Sequence, residues 1–377
     1  MSNTPSPLRV THWPTRDGHR IGVATLDAER SLNALTLDMI EALDAQLTTW
    51  QQDDSVVAVW LEGAGDRAFC AGGDIVALYR ALQGDAHAAR DYVVRYFRAE
   101  YALDYRLHTY PKPLLAWGDG IVMGGGMGLL AGARHRLVTE RSRLAMPEIS
   151  IGLYPDVGAS WFLNRMPPGI GAYLALTGAQ LNARDALDLG LADQLVPAEC
   201  REALIDALCR ADYGNVTTLN DRAIHAVLAA VADRDQAPPA QLWPWRDHIQ
   251  RLTSAADAAQ ACAAILADRQ QDDWLAANRR RLGDGCPLTA QLAWGMLERH
   301  RRASLAEALR DELSLSLRCC LEGDLAEGVR ALLIDKDKQP QWSHADVPSV
   351  PAAEVAAMLH SAWQCDDHPL ATLGEKG

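Results

Sequence analysis

The sequence lacks features that mark several broad classes of protein. Its 377 residues contain no apolar run that approaches the roughly 20 residues needed to span a bilayer. Positive charge is also scarce: the chain has 36 Lys and Arg against 49 Asp and Glu, which gives a formal net charge of −13. Non-specific nucleic-acid binding depends on cationic surface. We therefore expect neither a membrane protein nor a nucleic-acid-binding protein.

Metal-binding and nucleotide-binding motifs are also missing. The eight cysteines form no CxxC pair and have no histidine cluster beside them, which argues against a zinc site. Neither GxxxxGK[ST] nor GxGxxG occurs. The N-terminus has no apolar signal core and no Arg-rich amphipathic pattern, which predicts a cytoplasmic protein with reduced cysteines.

The order of predicted elements favours an α/β fold. Apolar runs predict strands, and apolar residues at helical spacing predict helices. Strands are predicted at 21–26, 56–61, 113–117, 136–139 and 143–146, and helices at 36–51 and 75–82. Strands that alternate with helices in this way are typical of layered α/β proteins.

Two glycine-rich segments each follow a predicted strand. The first is FCAGGD at 69–74, and the second is the glycine triplet at 124–126. Glycine suits a backbone with unusual dihedral angles or one that a ligand approaches closely. Two such loops can each direct one N–H group at a single carbonyl oxygen, which is an oxyanion hole. Taken alone, each loop is more often an ordinary strand-to-helix turn, because glycine-rich turns are common.

Two carboxylates, Glu148 and Asp156, lie eight residues apart after the second glycine segment. Pro147 restricts the approach to Glu148, and Gly152 and Pro155 shape the loop that leads to Asp156. Neighbouring carboxylates raise one another's pKa, so one can hold a proton while the other acts as a base. Taken alone, Asp156 also fits a surface position or a helix cap.

Together these motifs resemble the enoyl-CoA hydratase/isomerase (crotonase) superfamily. The resemblance extends from about Ile21 to Trp342 and rests on the segments FCAGGD, DGIVMGGGMGL, MPE and IGLYPDVG. It implies a spiral of strand-strand-helix repeats and an acyl-CoA thioester as ligand. It also implies that the N–H groups of Ala71 and Gly125 form the oxyanion hole.

Two departures from the hydratases of this superfamily change the expected chemistry. Hydratases carry a second glutamate three residues after the middle glycine of the triplet, where this chain has Gly128. Asp156 stands where hydratases usually have glycine. The MGGGxG, AMPE and PDVG segments, together with 97–101 and 327–342, resemble instead the superfamily's thioester hydrolases that act on a short 3-hydroxyacyl-CoA.

The resemblance also suggests roles for single residues. Glu148 is expected to be the base or nucleophile and Asp156 to position the water or the substrate hydroxyl, although these roles could be exchanged. Glu100 would contribute to the substrate pocket, and the alternative is a solvated helix glutamate paired with an arginine. The residues expected to border CoA are Ala71, Gly72, Gly73, Asp74 and, as a phosphate contact, Arg30. No metal or other cofactor is implied, because CoA is part of the substrate.

The second half of the chain predicts a separate helical region. We expect a catalytic core at 1–198, an all-helical C-terminal domain at 199–342 and a loosely packed tail at 343–377. The predicted helices lie near 201–211, 221–232, 255–269, 273–281, 287–301 and 305–321. The resemblance allows a homo-oligomer. Three functions stay open: a thioester hydrolase, a hydratase or isomerase that uses Glu148 alone, and a non-catalytic acyl-CoA-binding protein.

Overall fold

The structure is a computed structural model that describes residues 7–375. Within these residues the chain forms ten strands and sixteen α-helices. The strands are β1 (Leu8–Pro14), β2 (Arg20–Leu26), β3 (Val56–Gly63), β4 (Ala68–Cys70), β5 (Leu114–Gly118), β6 (Ile121–Met123), β7 (His135–Val138), β8 (Arg143–Ala145), β9 (Leu181–Asn182) and β10 (Gln194–Leu195). The first eight helices are α1 (Leu37–Gln52), α2 (Ile75–Leu82), α3 (Ala86–His108), α4 (Gly125–Gly132), α5 (Ala159–Phe162), α6 (Ile170–Thr177), α7 (Ala183–Asp188) and α8 (Arg201–Arg210). The others are α9 (Thr217–Val231), α10 (Arg246–Thr253), α11 (Ala258–Ala267), α12 (Asp273–Asp284), α13 (Pro287–Arg299), α14 (Leu305–Leu321), α15 (Leu325–Val329) and α16 (Ala352–Met358).

The strands form two sheets. The larger sheet has the order β1-β2-β3-β5-β7-β10, and the smaller sheet has the order β4-β6-β8-β9. In the larger sheet only β1 pairs antiparallel, and β2, β3, β5, β7 and β10 run parallel to one another. In the smaller sheet β4 and β6 pair in parallel. The loops that follow β4 and β6 therefore leave the same edge of the smaller sheet.

The predicted elements of the first 150 residues are largely confirmed. Helix α1 begins after Thr36, whose hydroxyl accepts a hydrogen bond from Met39 N–H, and its apolar residues are buried. Strand β1 was not predicted because most of its side chains are exposed and give no alternating pattern. Strand β4 was missed because it has only three residues.

By its internal contacts the chain divides into two discontinuous units. The first unit comprises residues up to 73, 106–144 and 181–240, and the second comprises 74–105, 145–180 and the residues from 241 onwards. The predicted boundary at 198 differs from these units. The difference arises because helices α8 and α9, which follow residue 198, pack against the larger sheet of the first unit.

The core of the first unit lies between the larger sheet and helices α8 and α9. Side chains at alternate positions of β2, β3, β5 and β7 point into it, as expected for one face of a sheet. The buried cluster contains Ile21, Val23, Ala58, Trp60, Leu115, Trp117, Leu137, Val196, Leu204, Leu208, Ile224 and Leu228. Trp60 and Trp117 stack at its centre with ring centroids 5.6 Å apart.

The six helices predicted in 199–326 are all present, most with ends within three residues of the prediction. The expectation of a loosely packed tail after Trp342 is corrected. That segment contains helix α16, and its apolar side chains Val347, Val350, Met358 and Leu370 are buried. Among the described residues no helix is both long and apolar enough to cross a bilayer.

Candidate active site

The two glycine-rich loops of the first unit pack against each other. A side-chain carbon at Gly126 would overlap the carbonyl oxygen of Cys70 and lie 2.9 Å from its Cβ. A Cβ at Gly72, where φ is +115°, would lie 3.9 Å from the nitrogen of Gly125. The parallel pairing of β4 and β6 brings the loops together, and glycine is needed because the backbones approach so closely.

The N-terminus of helix α4 lies at this contact. It begins at Gly125, after Gly124 in a conformation with φ 50° and ψ −123°. The first N–H groups of a helix have no acceptor within it, and the Gly124 carbonyl accepts only from Met127 and Gly128 further along. Gly125 N–H is thus in a position typical of an anion-binding donor.

The other predicted donor needs correction. Ala71 N–H donates to the carbonyl of Leu32 at 3.0 Å, so this N–H group already has an acceptor outside the glycine loop. Leu35 N–H in turn donates to the Gly72 carbonyl at 2.8 Å, and Leu35 forms a parallel bridge with Gly73. In that pattern the bonds run to the residues on either side of Gly73, whose own N–H points away from Leu35. Gly73 N–H is the better candidate for the second donor.

Most of the residues predicted to contact CoA lie on two neighbouring segments of the first unit, because Leu32 and Leu35, which follow Arg30, bond to Ala71 and Gly72. Asp74 caps helix α2 by accepting a hydrogen bond from Ala77 N–H at 3.0 Å, which gives it a structural role. Arg30 lies exposed in the short 3-10 helix Glu29–Ser31. The contacts of Ala71, Gly72, Gly73, Asp74 and Arg30 with CoA stay predictions.

The second unit brings together the three predicted carboxylates, Glu100, Glu148 and Asp156. All three are buried. Glu100 lies on α3, Glu148 begins the 3-10 helix Glu148–Ile151 after Pro147, and Asp156 lies in the loop before α5. The alternative of a solvated Glu100 is therefore wrong. Within the described residues Glu148 Oε2 has no hydrogen-bond partner, which is costly for a buried oxygen unless a ligand uses it.

These carboxylates perturb one another. Burial raises the pKa of Glu148 and Glu100 well above the usual range, and the charge of Asp156 raises each pKa further. Burial raises the pKa of Asp156 to about 6, and the hydrogen bond from Tyr101 opposes that rise. Asp156 is the one of the three whose anion accepts a hydrogen bond from a tyrosine hydroxyl, which favours its ionised form. Perturbed groups of this kind are typical of acid–base catalysis.

Several residues of this cluster were missed by sequence reasoning. Asp104 is 1 % exposed, and neither of its carboxylate oxygens has a partner among residues 7–375. It lies one turn after Glu100, a spacing that could have been noticed. Tyr101 donates a hydrogen bond to Asp156 Oδ2 at 2.7 Å. Glu312 and Ser316 on α14 also reach the Asp156 loop, and no local sequence signal points to them.

The seven cysteines whose side chains are described are free thiols, and Cys365 lies outside that set. Cys70, in the first glycine loop, is fully buried with its Sγ 3.6 Å from the Gly72 carbonyl oxygen. In the described part of the chain, no group of three or more His, Cys, Asp or Glu side chains is arranged to hold a metal ion.

Paired glycine loops on an α/β scaffold and a buried carboxylate cluster define the class of protein. The chain belongs to the enoyl-CoA hydratase/isomerase family, whose pattern matches residues 21–359. The fold expected from the sequence, a crotonase-like α/β fold with a helical C-terminal region, is confirmed by two solved structures. An enoyl-CoA hydratase from Rhodobacter sphaeroides 2.4.1 is 35 % identical with TM-score 0.81, covering 94 % of this chain and 97 % of its own. A carnitinyl-CoA dehydratase from Mycobacterium thermoresistibile is 32 % identical with TM-score 0.83, covering 97 % and 99 %.

Within this family, the chain is similar to proteins named 3-hydroxyisobutyryl-CoA hydrolase. The mitochondrial protein of Danio rerio is 36 % identical over 334 residues, which is 88 % of this chain and 85 % of the relative. The human mitochondrial protein is 34 % identical over 331 residues, which is 87 % of this chain and 83 % of the relative. An Arabidopsis thaliana relative, 3-hydroxyisobutyryl-CoA hydrolase 1, is 34 % identical over 328 residues, or 85 % and 84 %.

Proposed function

We propose that this chain hydrolyses the thioester of a short 3-hydroxyacyl-CoA, with 3-hydroxyisobutyryl-CoA as substrate and 3-hydroxyisobutyrate and CoA as products. The observation that carries the proposal is the buried pair Glu148 and Asp156: Glu148 Oε2 has no hydrogen-bond partner among the described residues, and Asp156 accepts a hydrogen bond from Tyr101. Such a pair supplies an acid and a base at the same pH. The relatives named as hydrolases of this thioester support the choice of substrate.

The hydrogen bond from Tyr101 favours the exchanged roles, because it stabilises the anion of Asp156. Burial raises the pKa of Asp156 to about 6 and raises that of Glu148 well above its usual range. In the proposed reaction Asp156 takes a proton from water, and the hydroxide forms a bond to the thioester carbon. The N–H groups of Gly73 and Gly125 are the candidate oxyanion donors of the first unit, and one such donor is typically worth about 100- to 1000-fold in rate. The carbon–sulfur bond then breaks, and Glu148 protonates the departing thiolate.

A covalent variant of the same chemistry uses the carboxylate as nucleophile. The ionised carboxylate then attacks the carbonyl carbon to give a mixed anhydride and CoA, and water hydrolyses the anhydride in a second step. Hydroxylamine trapping tests for the anhydride directly, because it converts an enzyme-bound acyl anhydride into a hydroxamate, and heavy-oxygen water labels the enzyme carboxyl group when water attacks the enzyme's side of the anhydride. Label in the enzyme carboxyl group after a single turnover would establish the covalent route.

A hydratase or isomerase is the second candidate. It is favoured by the two solved structures, which are described as an enoyl-CoA hydratase and a carnitinyl-CoA dehydratase. Gly128 in helix α4 argues against this candidate, because a two-glutamate mechanism needs a glutamate at that position. A non-catalytic acyl-CoA-binding protein is the third candidate, and buried carboxylates with perturbed pKa values argue against it.

The test is a thiol-release assay with 3-hydroxyisobutyryl-CoA beside crotonyl-CoA, run on the wild type, Glu148→Ala and Asp156→Ala. We expect free CoA from the hydroxyacyl substrate alone, with release reduced about 100- to 10,000-fold in either variant. Hydration of crotonyl-CoA without thiol release would refute the hydrolase and favour the second candidate. Binding of both thioesters without turnover would favour the third.

The setting of the reaction is also a proposal. Hydrolysis of this thioester would place the chain in valine breakdown. The cytoplasmic location predicted from the N-terminus is open, because several of the relatives are named mitochondrial. Cell fractionation followed by immunoblotting tests the location, and analytical ultracentrifugation tests the proposed homo-oligomer.

A further inference from the structure

The turn that carries Asp156 is strained. Val157 follows it with φ +51°, in the left-handed region that a β-branched side chain rarely adopts, and Gly158 has φ +81°. Such a conformation persists only where the surroundings fix it. Helix α14 of the same unit supplies several of the contacts that fix this turn.

Glu312 holds the backbone on the far side of the turn. It is fully buried, and its Oε2 accepts from Gly158 N–H at 2.7 Å. Its Oε1 accepts from the Ser160 hydroxyl at 2.5 Å and from Ser160 N–H at 3.4 Å. On the near side, the Tyr154 hydroxyl donates to the main-chain oxygen of Glu312 at 2.7 Å. One residue therefore binds both ends of the turn.

Ser316, one turn later on the same helix, holds the carboxylate of Asp156 through Tyr101. Ser316 Oγ lies 2.6 Å from the Tyr101 hydroxyl oxygen and 2.9 Å from that of Tyr154. A tyrosine hydroxyl has a single proton, and Tyr101 donates it to Asp156 Oδ2 at 2.7 Å. Tyr154 likewise donates its proton to the Glu312 carbonyl. Ser316 Oγ has one proton for these two tyrosine oxygens, and the shorter distance favours donation to Tyr101.

A second layer supports Glu312. His300 Nδ1 lies 2.8 Å from Ser160 Oγ, and His300 Nε2 lies 3.0 Å from Asp311 Oδ2. Ser160 and His300 are both buried, and Ser160 bonds to Glu312, so this serine–histidine–aspartate set is structural rather than nucleophilic. Burial raises the pKa of Glu312 to about 8. When Glu312 is protonated its O–H donates to Ser160, whose proton then turns to His300, and Gly158 N–H stays bonded in both states.

We propose that Glu312 and Ser316 are positioning residues for Asp156: Glu312 fixes the backbone of its turn, and Ser316 fixes its carboxylate through Tyr101. This inference rests on the proposed function for the role of Asp156 in thioester hydrolysis. The groups that face the Asp156 carboxylate and share its titration are Tyr101, Glu100, Glu148 and Glu312.

The first test measures the Asp156 carboxyl directly and needs no substrate. Carbon-13 NMR of the protein labelled at aspartate carboxyl groups follows its titration, with the signal identified by its absence in Asp156→Asn. In Ser316→Ala we expect the pKa of Asp156 to rise by about half a pH unit or more, because the donor to its anion is no longer fixed. Ser314→Ala is the matched control, since Ser314 is buried on the same helix and contacts Ser361 at 3.5 Å. Equal titration in the wild type and both variants would overturn the role of Ser316.

The second test uses kinetics and a pair of substitutions at Glu312. Glu312→Gln keeps an oxygen for Gly158 N–H and an NH2 group for Ser160 Oγ, so we expect it to retain most of kcat. Glu312→Met keeps the volume but neither bond, and we expect kcat to fall on the order of 10- to 100-fold with KM nearly unchanged. A role in stability alone would lower the melting temperature of Glu312→Met without this change in kcat. That outcome, or equal activity of the two variants, overturns the proposal.

The two tests separate failure of the inference from failure of the proposed function. If the wild type releases no CoA from 3-hydroxyisobutyryl-CoA, the proposed function fails. The NMR titration of Ser316→Ala and Glu312→Met then still decides whether α14 positions Asp156. If Glu312→Met cannot be folded, Ser316→Ala carries the decision.

Discussion

The hydroxyl of Tyr101 donates a hydrogen bond to Asp156 Oδ2 across 2.7 Å, and both side chains are buried. A hydrogen bond to a carboxylate favours its ionised form, whereas burial disfavours it. The balance leaves the pKa of Asp156 at about 6, while Glu148 titrates higher. The Tyr101 hydroxyl therefore favours the anion of Asp156, which burial alone would disfavour.

The first prediction concerns the pH dependence of kcat/KM. If the Asp156 anion is the active form, kcat/KM falls as the pH drops through about 6. Tyr101→Phe removes the hydrogen bond that favours the Asp156 anion. We therefore expect the acidic limb of the pH profile, where kcat/KM falls, to move to higher pH. Activity should therefore fall more at pH 6 than at pH 8. Tyr105→Phe, four residues later on α3, is the control, and a limb that does not move in Tyr101→Phe would contradict the prediction.

The second prediction concerns stability and Asp104. Burial raises the pKa of Asp104 well above its usual range, and the charge of Glu100 adds to the effect. The folded chain therefore holds a proton that the unfolded chain releases above about pH 4. Stability should fall as the pH rises, by up to about 1.4 kcal/mol per pH unit until the folded-state pKa is reached.

Asp104→Asn removes this linkage. We expect the difference in unfolding free energy between Asp104→Asn and the wild type to shift in favour of the variant between pH 5 and pH 8. Urea unfolding at the two pH values measures it. Asp91→Asn, at an exposed position of the same helix, should give no such shift. A difference that is equal at both pH values would argue against a buried protonated Asp104.

The third prediction concerns the contact between the glycine loops. Gly126→Ala would force a methyl group into the Cys70 carbonyl, so the loops must separate. We expect kcat/KM to fall on the order of 100-fold, the typical effect of losing one oxyanion donor. Gly283→Ala is the control, since its Cβ would lie 3.5 Å from Leu266 on exposed helix surface. There we expect full activity and a gain of about 0.5–1 kcal/mol in stability.

The fourth prediction concerns Arg30. If this exposed arginine contacts a CoA phosphate, Arg30→Ala should raise KM about two- to five-fold with little change in kcat, as expected for an exposed ion pair. The effect should shrink in high salt. Arg9→Ala, which removes another exposed arginine that faces Asp27, is the control. An unchanged KM would show that Arg30 does not contact a CoA phosphate.

The sequence predicts the local features of the site well. Glycines 124–126, Glu148 and Asp156 stand out because each motif is continuous in the chain. Burial of Glu100 followed from resemblance rather than from its helix, where a glutamate is ordinarily solvated. The hydrogen bond of Ala71 N–H could not be predicted, because its acceptor, the Leu32 carbonyl, lies 39 positions earlier in the sequence.

What could not be predicted depends on contacts between distant segments. Helix α14 was predicted correctly as a helix, yet nothing in its apolar pattern marks Glu312 and Ser316 as partners of the Asp156 loop. Similarly, α8 and α9 have the pattern of any amphipathic helix, so their packing on the larger sheet was not visible. Periodicity indicates which face of a helix is buried but not what covers it.

The hydrogen bonds of helix α14 have a consequence for the order in which the working enzyme is made. Gly158 and Glu312 are 154 residues apart in the chain, and Tyr101 and Ser316 are 215 apart. During synthesis the PDVG turn therefore emerges long before the residues that fix it, and a nascent chain carries the motif without the fixed carboxylate. A premature stop codon before residue 312 would leave every recognisable motif of the first half intact and still produce an inactive protein.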